Sequence, residues 1–108
     1  MKNEQEIIAN INAILAYALR RHFGYTQAEI ARKLYVTSSA VSQYISKARG
    51  GNIDFSNEVI IEIEKLANLL HDSKVLPQHV LRERKYKILM LHLKVQDEQE
   101  MLAYVLAQ

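Results

Sequence analysis

The segment from Thr26 to Arg49 places the tightest limit on what this chain can become. Thr26-Gln27-Ala28-Glu29 has the pattern of a capping box. The Thr26 hydroxyl can accept from an early backbone N–H while the Glu29 carboxylate reaches back to the start of the helix. A short helix then ends near Leu34 or Tyr35, and Thr37 is the next N-cap, opening a third helix. Within this segment Ile30 and Leu34 are spaced to face a core, and Ala31 falls where two helices cross and a small side chain is required. Tyr35-Val36-Thr37 make the turn with Val36 buried beneath it, and Val41 and Tyr44 pin the third helix to the second. Two unrelated amphipathic helices would not need these residues in register. The pattern predicts a helix-turn-helix.

The rest of the 108 residues supports an all-α class. Ile7, Ile8, Ile11, Leu15, Ala18 and Leu19 recur at helical spacing, predicting a first helix from about Glu4 to His22 that stops near Gly24. Gly50-Gly51 ends the third helix. Ser56 caps a fourth, with Val59, Ile60, Ile63, Leu66, Ala67 and Leu70 as its apolar stripe. Pro77 suits the first position of a fifth helix running to about Lys94. Asp97 and Glu100 then read as a second capping box before a last helix with Met101, Leu102, Val105 and Leu106. Residues 85–95 also alternate in the manner of a strand, but the Pro-started segment flows into them and no partner strand is visible, so helix is preferred. Apolar residues make up 49% of the chain, enough for a core, while one proline and three glycines leave little material for β turns.

The outward positions of the third helix, about 38–48, are short and polar: Ser38, Ser39, Ser42, Gln43 and Ser46, followed by Lys47. Serines are poor helix formers, so their concentration on one face points to a contact surface. Short side chains let a helix sink into the major groove, where Gln43 can grip adenine bidentately and serines can bond to bases or phosphates. Lys47 and Arg49 lie where flanking phosphates would pass. Gln27 and Thr37 stand at helix starts whose free N–H groups favour anions. Charge agrees. Residues 20–49 carry six bases against Glu29 alone, residues 82–94 carry five against Glu83, and the last 14 residues are net acidic. The DNA-binding set is therefore Gln27, Thr37, Ser38, Ser39, Ser42, Gln43, Ser46, Lys47 and Arg49.

The run YTQAEIARKLYVTSSAVSQYISKARGG resembles the helix-turn-helix of lambda-repressor-like, or XRE-type, regulators, and in particular the small archaeal regulators of that class. The likeness spans about residues 5–80 and includes the Ser-capped fourth helix with its EIEKLANLL core. It implies a bundle of four or five helices whose third helix enters the major groove, usually within a dimer. Tyr35 departs from the family, which usually has glycine at that turn; a left-handed non-glycine residue costs about 1 kcal/mol. The tail from about Lys85 lies outside the motif.

These observations divide the chain into a DNA-binding domain, 1–80, and a C-terminal extension, 81–108. The extension has more apolar residues than the flank of a small bundle needs, which predicts a homodimer built through residues 80–108 and bound to an inverted repeat. The four histidines share no metal-ligand spacing, there is no cysteine, and no catalytic grouping stands out. The expectation is a non-enzymatic, cytoplasmic transcriptional regulator with double-stranded DNA as its partner and no cofactor, metal, membrane or small-molecule substrate. Two rivals use the same residues: an antitoxin or adaptor that holds a foreign protein on its apolar tail, and a non-specific architectural DNA binder. The second is disfavoured by the small number of bases among the outward serines.

Overall fold

The computed structural model describes residues 3–48 and 53–108 in full and residues 49–50 as backbone alone. Its elements are α1 (Glu4–Phe23), α2 (Gln27–Leu34), α3 (Ser38–Gly50), α4 (Asn57–Asp72) and α5 (Gln78–Leu106). Among the described residues there is no strand, and the fold is all-α. No helix is long and apolar enough to cross a membrane.

α1 is the axle. Asn3 caps its start by accepting from the Glu6 N–H at 2.8 Å, and Gly24 ends it at φ 69°, a left-handed turn that suits glycine. Ile7, Ile11, Leu15 and Leu19 are at most 1% exposed, and Ala13, Ala16 and Ala18 are buried as well. Burial this far round the helix follows from its contacts with all four other helices. Two asparagines share this interior. Asn10 returns its amide N–H to the Glu6 carbonyl at 2.8 Å. Asn12 accepts from Lys85 Nζ at 3.1 Å and donates to the Tyr44 hydroxyl at 3.5 Å, joining α1 to α5 and α3. Burial, aided by nearby Arg82, holds the Lys85 ammonium below the usual lysine range.

α4 begins at Ser56, whose hydroxyl accepts from the Val59 N–H at 3.3 Å, and buries Val59, Ile63, Leu66, Ala67 and Leu70; Ile60 is half-buried. Its far end is held twice. Lys33 Nζ donates to the carbonyls of Leu70 at 2.7 Å and Ser73 at 2.8 Å. His71 stacks on Phe23 at 4.0 Å between ring centroids and hydrogen-bonds the Tyr25 hydroxyl at 2.9 Å. The turn after α1 is thereby fixed to the end of α4.

α5 agrees with expectation over residues 85–95 and departs from it at Pro77 and at Asp97. Pro77 sits at the N-cap, one residue before the first helical position, with φ −56° and ψ 145°. Residues 85–95 are helical throughout. The break at Asp97 is absent, and one 29-residue helix replaces the two expected. A capping box forms only where the chain leaves helical geometry before it. Gln78 to Leu106 contains no glycine or proline to force that departure, so Asp97 and Glu100 remain exposed mid-helix residues. Leu81, Ile88 and Leu89 join the core of α1–α4, whereas every residue from Gln96 onward is exposed. A helix of this length spans about 43 Å at 1.5 Å per residue, which accounts for molecular extents of 52 × 26 × 22 Å.

Candidate nucleic-acid interface

The two halves of the capping box are both made. Thr26 Oγ1 accepts from the Glu29 N–H at 3.1 Å, and Glu29 accepts from the Thr26 N–H at 3.0 Å. That backbone bond, and after it the Thr26 hydroxyl, holds the Glu29 carboxyl below the usual range. Ile30, Ala31 and Leu34 turn inward, with Ala31 at the crossing as expected.

The turn is made without glycine. Tyr35 takes φ 59° and ψ 41°, the left-handed geometry the sequence demands there, and the Val36 N–H closes on the Ala31 carbonyl at 3.0 Å. The Tyr35 hydroxyl donates to the Leu76 carbonyl at 2.6 Å, just before α5. A hydrogen bond contributes about 0.5–1.5 kcal/mol, similar to the cost of placing a side chain in that region. This contact, invisible in the sequence, is of the size needed to offset that cost. Val36 is half-buried rather than buried: it packs against the edge of the core.

Thr37 accepts from the Ala40 N–H at 3.1 Å and starts α3. Val41 and Ile45 are buried, Tyr44 half-buried. The register leaves Thr37, Ser38, Ser39, Ser42, Gln43 and Ser46 exposed on one continuous face, with Lys47 half-buried at its edge. Arg49 lies outside the described side chains. Gln27 is half-buried, and its Nε2 donates to the Ser38 carbonyl at 2.7 Å, bracing the start of α2 against the start of α3. Structure thus brings eight of the nine candidates onto or beside one surface and gives Gln27 a structural bond as well.

The basic residues separate into two groups. Lys33 is committed to the end of α4 and faces away from this use. Arg20 and Arg21 are exposed at the end of α1: Arg20 shares a cleft with Thr26 and Gln27, and both arginines border Ile45 of α3. Counted only as local charge in the sequence, these two arginines flank the polar face from a neighbouring helix. Helical period alone could have found them, since they lie opposite the buried Ile11–Leu15–Leu19 stripe. Among the described residues no group of three or more His, Asp or Glu side chains could hold a metal.

Comparison with known families bears on the same segment. The family model for Sigma-70, region 4 matches residues 15–50, which run from the middle of α1 to the end of α3. No curated protein and no solved structure matches the chain. The match covers 36 of 108 residues and coincides with the elements that carry the polar face. The chain therefore carries a helix-turn-helix of a DNA-binding type, similar over residues 15–50 to Sigma-70, region 4.

Proposed function

We propose that this protein is a sequence-specific regulator that binds duplex DNA as a homodimer, with residues 38–48 of α3 in the major groove. The observation that carries the reading is the exposed row Ser38, Ser39, Ser42, Gln43 and Ser46 on a helix otherwise pinned to the core. No large side chain stands on that face to keep it out of a groove. Gln43 reads a base edge, the serines contact bases or sugar-phosphate, and Lys47, Arg49, Arg20 and Arg21 meet flanking phosphates. Thr37 and Gln27 lie at helix starts that face the backbone. The lambda-repressor-like, XRE-type assignment belongs to this proposal. It is supported by the α1 and α4 sequences around the motif, which the Sigma-70 match does not reach in full.

Residues 1–80 form the DNA-binding unit in this reading. Residues 81–108 dimerise it, with the first turns of α5 also completing the core. A two-fold dimer sets two α3 helices about 34 Å apart on successive major-groove turns. The protein works without catalysis or cofactor.

Selection of bound duplexes from a random pool at near-physiological salt tests the proposal. Enrichment of an inverted repeat with half-sites one helical turn apart is the expected result. A folded protein that enriches nothing would overturn it in favour of protein contact or non-specific binding.

A further inference from the structure

Side chains of α4 and α5 line an open groove of about 390 Å³. Its floor is Leu66, Leu69, Ile88 and Leu91, and its rim carries Lys65, Arg84 and Lys87 against Glu62. The two ion pairs near the rim, Lys65–Glu62 at 3.3 Å and Lys87–Glu83 at 3.4 Å, are largely solvated and hold those cations weakly. The same face of α5 continues beyond the groove as Val95, Glu98, Leu102 and Val105, of which Leu102 is 58% and Val105 60% exposed.

We propose that the groove receives residues 97–106 of a second copy of this chain, the two α5 helices lying antiparallel. This rests on the homodimer reading above and specifies its interface. Three observations lead to it. First, Ile88, Leu91, Val95, Glu98, Leu102 and Val105 are separated by three, four, three, four and three residues, a spacing that reads alike in both directions. Antiparallel pairing about the Gln96–Asp97 midpoint sets Val105 against Ile88 and Leu102 against Leu91, while Glu98 meets Val95 beside the partner's Lys94. The tail residues thus arrive over the groove.

Second, charge selects the direction. Residues 82–94 of α5 carry Arg82, Arg84, Lys85, Lys87 and Lys94 against Glu83, and residues 95–106 carry Asp97, Glu98 and Glu100 with no base. In the antiparallel register the partner's Lys94 falls opposite Gln99, between Glu98 and Glu100, whereas parallel packing stacks acid on acid and base on base. Third, the tail cannot fill its own groove. Leu102 lies eleven residues past Leu91 on an unbroken helix, about 16 Å further along the axis. Only another molecule can place it there.

The chain lacks cysteine, so single cysteines report position cleanly. Full-length chains bearing Leu69→Cys are mixed with chains bearing Val105→Cys and treated with a short bifunctional thiol reagent. Lys65→Cys, on the exposed rim, repeats the test at a position whose change leaves the core intact. In parallel, sedimentation compares the natural chain with a Leu102→Glu/Val105→Glu variant, altered only at exposed positions. The expected result is a dimeric natural chain, a monomeric tail variant, and mixed 69–105 and 65–105 cross-links in excess of 105–105. A dimer that survives the tail substitutions, or one that gives 105–105 links without mixed ones, overturns the groove docking and leaves the homodimer reading standing. A natural chain that is monomeric at micromolar concentration overturns both.

Discussion

Lys33 separates a structural charge from a DNA-facing one. It sits in the basic stretch 20–49, yet its ammonium donates to the carbonyls of Leu70 and Ser73 at 2.7 and 2.8 Å and stands 5.9 Å from the Tyr25 ring centroid. Lys33→Met keeps most of the stem and removes both bonds. Hydrogen bonds from a charged donor contribute about 1.5–3 kcal/mol where buried. Half-burial reduces this, and the favourable charge at a helix C-terminus adds about 0.3–1 kcal/mol. A net loss of about 2 kcal/mol is expected, which lowers Tm by about 8–16 °C in a domain of this size. Denaturant unfolding and thermal melting measure it directly. DNA binding by the folded variant is the second half of the test. Each phosphate contact removed flattens the slope of log affinity against log salt by about 0.9. Lys33→Met is expected to leave that slope unchanged. A variant with unaltered melting and a slope flattened by about one would show Lys33 on the DNA and refute the assignment.

Four further outcomes follow from the same geometry. Gln43→Ala is expected to relax preference at one base position per half-site by about 1–3 kcal/mol, measured by competition between single-base operator variants. Lys47→Ala is expected to weaken all sequences alike and to flatten the salt slope by about 0.9; identical behaviour of the two variants would undo the division between base and phosphate contacts. Tyr35→Phe is expected to cost about 1 kcal/mol through loss of the 2.6 Å bond to Leu76, and an unchanged denaturation midpoint would show that bond to contribute nothing. His92, 3% exposed, lies edge-on to Phe55 with Nδ1 buried and unpartnered among the described residues, and burial holds its pKa below the ordinary 6.5. The unfolded chain then takes up this proton more readily than the folded one. Its contribution is whole above pH 6.5 and is lost as pH falls through that value toward the lower native one. The stability difference between the natural chain and His92→Leu is therefore expected to shift in favour of the variant between pH 8 and pH 5 in urea titrations; a pH-independent difference would contradict it.

Local signals in the sequence translated almost directly into structure. Gly24, Thr26 with Glu29, Thr37 and Ser56 each mark a boundary because capping depends on residues within a turn of one another. Ala31, Val41 and Ile45 fell inside because helical period determines which side faces the core. Contacts between distant segments were not readable. Nothing near Lys33 announces the carbonyls of Leu70 and Ser73, and nothing near Tyr35 announces Leu76. Gln27, read in the sequence as a phosphate contact at a helix start, likewise gives no sign of its bond to the Ser38 carbonyl. The misplaced break at Asp97 has another cause. Acidic residues serve equally as caps and as surface positions, and only a departure of the backbone distinguishes the two.

Whether α3 occupies the major groove is read out by a cleaving probe attached to that helix. Ser42→Cys, at an exposed position in a chain without other thiols, accepts an iron chelate that cuts nearby DNA; Glu64→Cys on exposed α4 serves as the control. On the selected duplex, cuts from position 42 are expected only on the major-groove face of each half-site, in two clusters about 34 Å apart, with none from position 64. Cuts that are equally strong from both positions, or from position 42 only in the minor groove, would contradict a major-groove position for α3.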